Sequence, residues 1–211
     1  VILPVIMAGY YGFFRWKGFG VPTDFVGLKN YVTILTDPEF HAVLGHNAII
    51  LVASLLLQGP IALLLALLLN KKMRGQSVIR VLIFIPYVIS EVIAGTAWSL
   101  LLQSQGGVNR LLTDIGLGAL ATDWIANPKA TLMGILTWKY VGFAVIIFLA
   151  GMQGIPTELM EAAKIDGASY WQIQRRITIP LLGPTIRMWA FLSIIGSLQL
   201  FDLVYIIWGQ Y

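Results

Sequence analysis

The chain has 211 residues, of which 58% are hydrophobic and only 11% are charged. A soluble domain carries about 25% charged residues, so this composition excludes an ordinary soluble domain and points to an all-α integral membrane protein. Cysteine is absent, which excludes disulfides, thiol catalysis and thiolate metal sites, and the small net charge of +4 suits the cytoplasmic loops of a membrane protein better than a nucleic-acid partner.

The opening run VILPVIMAGYYGFF has no charged leader and no small-residue cleavage site, so it reads as part of a span and not as a signal peptide. It is shorter than the roughly 20 residues that a crossing needs, and the sequence is expected to begin inside a first span. Residues 15–46 then form a loop of mixed charge. Within it, 28–35 and 39–44 read as short surface helices, separated at Asp37-Pro38. His41 and His46 lie off a common helical face, so no metal site is expected there.

Four apolar stretches follow, at 47–69, 78–103, 130–152 and 185–208, each long enough and poor enough in charge to cross a bilayer. In hydrocarbon they must be helices, because every backbone polar group needs an internal partner. The connections alternate in character. Lys71, Lys72, Arg74 and Arg80 crowd one short loop, while Lys164, Arg175 and Arg176 lie in 153–184, with Arg187 at its exit. Basic loops stay in the cytoplasm, so these two face inward, and 15–46 and 104–129 face outward.

Ionisable groups inside spans are costly and mark function by default. Glu91 lies roughly 16 Å beyond Arg80 at about 1.5 Å per residue, near mid-membrane. On a continuous helix Tyr87, Glu91 and Trp98 share a face. An aromatic surface beside a carboxylate suits a sugar, which stacks its C–H groups and donates hydroxyl hydrogens. The same residues also read as structural, with Glu91 tying helices together and Trp98 packing. Lys139 lies at comparable depth, and an ion pair with Glu91 is expected, since it avoids two isolated charges. Gln199 and Asp202 fall in the outer half of the last span, where they can line a path, meet an external protein or pack against another subunit. Gln58 reads as a polar contact between helices.

The segment EAAKIDGASYWQIQRRITIP (161–180) interrupts this apolar pattern. Locally it reads as helix, elbow, helix. Pro156 breaks from the preceding span, Thr157 is the expected N-cap, and Glu158 and Glu161 suit the positive end of the helix dipole. Asp166-Gly167 is a turn signal. Ser169 and Gln172 form a capping-box pattern that opens a second helix, with an apolar stripe of Tyr170, Ile173 and Ile177. Small residues keep the tip low, which suits insertion into a groove of another protein. An ordered linker is the other reading of the same residues.

Glu161, Ala162, Ala163, Asp166, Gly167, Ala168, Ile177 and Pro180, approached through Gln153, Ile155 and Pro156, resemble the "EAA" loop of the permease subunits of binding-protein-dependent ABC importers. The stretches FVGLKNY (25–31), DPEF (37–40) and RVLIFIPYVIS with Trp98, Gly107 and Asn109 resemble the maltose-type carbohydrate and glycerol-phosphate branch. The resemblance implies a type I importer transmembrane domain, with about five spans visible of an expected six-span core. It makes 1–211 one permease domain continuing beyond both ends, with 153–185 as a coupling loop. It also implies two cytoplasmic ATPase subunits, which would carry the ATP and Mg, so that no cofactor is expected on this chain. A second permease that is a different chain, an extracytoplasmic solute-binding protein, a sugar cargo and a bacterial plasma membrane complete the picture. The chain has no phosphate-binding G-x-x-x-x-G-K-[ST] loop, and GLGALA (116–121) lacks the preceding strand of a dinucleotide site. No nucleophile–base arrangement stands out, so an enzyme is not expected. The alternative class is an ion-coupled secondary transporter that relays through Glu91, Lys139 and Asp202.

Overall fold

A computed structural model describes residues 2–71 and 73–209, so Lys72 of the basic loop and Gln210 lie outside the described residues. These residues are helical wherever regular, apart from one isolated bridge between Phe14 and Phe25. They fall into two compact units, Val1–Ile49 and Ile50–Tyr211.

In the first unit, helix α1 (Ile2–Tyr11) leads into a folded loop and helix α2 (Lys29–Thr36). The Asn30 amide closes that loop by donating to the carbonyls of Gly12 and Phe14, both at 3.0 Å, and Tyr31 donates to the Gly9 carbonyl. Phe14 meets Phe25 at a centroid distance of 5.4 Å, and Phe13 meets Tyr31 at 5.3 Å. The 25–31 stretch is therefore a clasp. Helix α3 (Pro38–Leu69) starts in this unit. The expected separate helix at 39–44 is the opening of this long helix. The expected break at Asp37-Pro38 is present, with Asp37 extended at ψ 119° after α2. Proline is tolerated at a first helical position, and the Asp37 carboxylate accepts the Glu39 N–H at 2.9 Å, so the same pair also starts α3.

The second unit continues α3 and adds α4 (Gln76–Val88), α5 (Glu91–Leu101), α6 (Gly107–Asp114), α7 (Pro128–Gln153), α8 (Thr157–Ile165), α9 (Tyr170–Leu181), α10 (Gly183–Leu198) and α11 (Asp202–Trp208). Helix α7 is the axis, and α3 and α4 pack along it. Small residues permit the close approach: Ala62, Ala66 and Ala144 are fully buried, and Gly142 faces the Ile83 carbonyl, leaving no room for a Cβ. Phe148, Leu182 and Trp189 complete this core. A second core joins Leu102, Ile135, Leu203 and Ile207.

Only α3 and α7 are single helices long and apolar enough to cross a membrane among the described residues. The expected span at 78–103 is instead a pair, α4 and α5, bent by 94°. Pro86 lacks the N–H that would continue the ladder, and Ile89 and Ser90 adopt extended backbone with ψ of 131° and 143°. The expected span at 185–208 is likewise interrupted between α10 and α11, where Phe201 leaves helical geometry at φ −135°. That break turns α11 against α5 and buries Leu203 and Ile207. Burial of these apolar side chains overrides the continuous pattern in the sequence.

Candidate functional site

The polar segment after α7 is built by local capping. Pro156, at ψ 129°, turns the chain out of α7, and Thr157 is already the first residue of α8. Pro156 therefore holds the N-cap position, and the expected Thr157 N-cap does not form. At the other end of α8, Gly167 has φ +78°, a left-handed conformation open to glycine. The Gly167 N–H reaches the Lys164 carbonyl at 3.0 Å, and the Ala168 N–H reaches the Ala163 carbonyl at 2.9 Å, a Schellman termination. Ser169 then opens α9 with the capping box. Its Oγ accepts the Gln172 N–H at 3.4 Å, and its own N–H donates to Gln172 Oε1 at 2.7 Å. A π turn at Gln174–Thr178 accommodates Pro180 in the last turn of α9, and the helix stops at Leu181, just before Gly183-Pro184, with α10 bent 62° away from it.

The result is a knob whose tip is exposed. Glu161, Ala162, Asp166 and Gly167 face solvent, Ala163 and Ala168 are half-buried, and Ile165 is 87% exposed. Ile177 is half-buried and Pro180 exposed. Beneath the knob, the Tyr170 hydroxyl donates to the Leu67 carbonyl at 3.0 Å, and Lys71 Nζ lies 3.7 Å from the Tyr170 ring centroid. Gln76 and Arg80 both donate to the Leu69 carbonyl, Arg80 at 3.0 Å. The free carbonyls at the end of α3 are therefore met by side chains from α9 and α4.

The second feature is a cavity of about 280 Å³ between α3, α4, α7 and α10. Its walls combine aromatic rings (Tyr87, Tyr140, Phe143, Trp189) with hydroxyls and amides (Ser54, Gln58, Thr137, Ser193, Ser197, Gln199). Tyr87 stacks on Phe143 at 4.6 Å. Ser54 bridges Gln58 and Ser193, both at 2.7 Å, so a polar seam joins α3 to α10. Among the described residues, no Asp, Glu, Lys or Arg lines it.

Of the residues singled out for a substrate path, Tyr87 and Gln199 line this cavity, and Glu91, Trp98 and Asp202 do not. Tyr87, Glu91 and Trp98 do not share a helical face, because the 94° break falls between Val88 and Glu91. Trp98 packs edge-on against Trp138 at 5.2 Å. Asp202 is exposed in the first turn of α11. The expected Glu91–Lys139 ion pair does not form either. Lys139 is 2% exposed and donates to the Ile89 carbonyl at 2.6 Å, while Glu91 accepts the Tyr140 hydroxyl. The physical reason is the break itself. A cation suits the negative end of α4 and a carboxylate the positive end of α5, so each charge serves a helix terminus.

Sequence reasoning missed Tyr140, Phe143, Trp189, Ser54 and Ser193 as wall residues. Ser54 and Gln58, one helical turn apart in an apolar run, were the available signal. No group of three or more His, Asp or Glu side chains able to hold a metal occurs among the described residues.

Long apolar helices, a broken span, a half-open cavity walled by aromatic and neutral polar groups and a capped knob between spans define a helical membrane transport subunit. The family described as "binding-protein-dependent transport system inner membrane component" matches residues 58–210, and the chain belongs to it. It is thus a multi-pass permease of the plasma membrane with the type I ABC importer fold, which sets aside the ion-coupled alternative. The trehalose/maltose transport system permease protein of Thermococcus litoralis is 32% identical over 99% of this chain and 72% of its own length. A probable ABC transporter permease of Pyrococcus horikoshii is 36% identical over 98% of this chain and 72% of its own length. Among solved structures, a chain of a bacterial ABC transporter involved in importing the acidic polysaccharide alginate is 28% identical, with a TM-score of 0.76 over 95% of this chain and 69% of that one.

Proposed function

We propose that this permease forms part of the path for a neutral sugar, and that segment 153–185 docks into cytoplasmic ATPase subunits that drive it. The cavity wall is the observation that carries the cargo reading. Aromatic rings and neutral hydrogen-bonding groups suit a polyhydroxylated solute, whose C–H faces stack and whose hydroxyls both donate and accept. Relatives are named for trehalose and maltose, lactose and multiple sugars. An anionic cargo is less well matched, because no cationic side chain among the described residues lines the wall and Lys139 is engaged at Ile89. The glycerol-phosphate reading therefore ranks second.

The knob supports the coupling reading. Its tip combines exposed small residues, the apolar Ile165 and the acid Glu161 on a segment rigidified by a Schellman turn and a capping box. ATP and Mg would sit on the partner ATPases, and this chain would contribute shape and motion. A second, different permease and an external solute-binding protein would complete the complex. The test is sugar-stimulated ATP hydrolysis in the reconstituted complex. Neutral di- and oligosaccharides should stimulate it, and sugar or polyol phosphates should not. Stimulation by phosphorylated solutes alone would overturn the cargo assignment.

A further inference from the structure

We infer that Tyr170 and Lys71 form a mechanical joint that makes α3 move as one body with the coupling segment. This rests on the coupling reading above and adds the route by which motion of the knob reaches the cavity. Tyr170 is the first residue of α9, directly behind the Ser169 cap, so its position is fixed relative to the knob. Its hydroxyl holds the Leu67 carbonyl at 3.0 Å, and its ring lies 3.7 Å from the Lys71 ammonium. Leu67 lies in the last turn of α3, and Lys71 is the second residue beyond its end. The hydrogen bond fixes distance along α3 and the cation–π contact fixes the ring's lateral position.

Further along, α3 carries Ser54 and Gln58, which line the cavity, and Ser54 bonds both Gln58 and Ser193 of α10. A displacement of the knob is therefore delivered to two walls of the cavity. It reaches α10 through the covalent chain of α9, and α3 through Tyr170. Leu69 strengthens the second route, because Arg80 and Gln76 fasten the same helix end to α4. Without Tyr170, only the covalent route remains, and knob and cavity move less tightly together.

The test uses the reconstituted transporter. Tyr170→Ala should retain ATPase binding, read as cross-linking from Ala163→Cys, while ATP hydrolysed per sugar imported rises several-fold. Tyr170→Phe keeps the ring on Lys71 and should show a smaller rise. The absence of native cysteine permits a rescue. Lys71→Cys with Tyr170→Cys should uncouple when reduced and recover coupling when joined by a short thiol cross-linker. Three outcomes overturn the joint: an unchanged ATP-to-sugar ratio in Tyr170→Ala, loss of the Ala163 cross-link in that variant alone, or transport blocked by the cross-linker, which would mean that the two elements must slide. Absence of the Ala163 cross-link in the chain with native Tyr170 would instead overturn the coupling reading itself.

Discussion

Lys139 shows how a charge is kept inside a membrane helix. It is 2% exposed, and its ammonium donates to the Ile89 carbonyl at the end of α4. Lys139→Met removes that donor and leaves the carbonyl unpartnered at the break. An unsatisfied buried polar group costs about 1–3 kcal/mol, so the thermal midpoint in detergent should fall by several degrees. An unchanged midpoint would show that the carbonyl finds another partner. Glu91 offers a graded comparison. Glu91→Gln retains an acceptor for the Tyr140 hydroxyl and should be milder than Glu91→Leu in the same measurement. The sequence showed both charges as candidates through their depth alone. It did not show their partners, because a continuous apolar run hides the break at Ile89 and Ser90 that both charges serve.

At the scale of elements, glycines separate contact from flexibility. A Cβ at Gly142 would meet the Ile83 carbonyl on α4, whereas one at Gly134 has nothing within 4 Å. Gly142→Ala should therefore separate α4 from α7 and lower the yield of folded protein. Gly134→Ala should be neutral or stabilising by up to about 1 kcal/mol through helix propensity. Equal effects at the two sites would contradict the packing described for α7. Gly167 presents the third case. A Cβ there meets open space in this chain, but φ is +78°. Gly167→Ala should cost about 1–2 kcal/mol of backbone strain, borne by the elbow alone. The expected readout is weaker ATPase coupling at an unchanged yield of folded chain, with Gly167→Asn intermediate. The elbow was legible because Asp-Gly, S-x-x-Q and the flanking helices are local signals. The 94° bend between α4 and α5 was not, since it is settled by what α5 packs against, including Leu203 and Ile207 of α11.

For the molecule as a whole, family and architecture were legible because one long motif and a set of apolar runs carried them. The cavity was not, because its walls come from four helices distant in sequence and combine residues that look ordinary in each. Tyr140 is next to a lysine that drew attention, and Trp189 looks like any core aromatic. The central claim is that a capped knob on a sugar permease engages an ATPase, and it is tested most directly by a single cysteine at Ala163, cross-linked in native membranes with the captured protein identified by mass spectrometry. The account predicts capture of an ATPase subunit, reduced when Gly167 is replaced by a bulky residue. A folded, membrane-inserted chain that captures no ATPase subunit would contradict it.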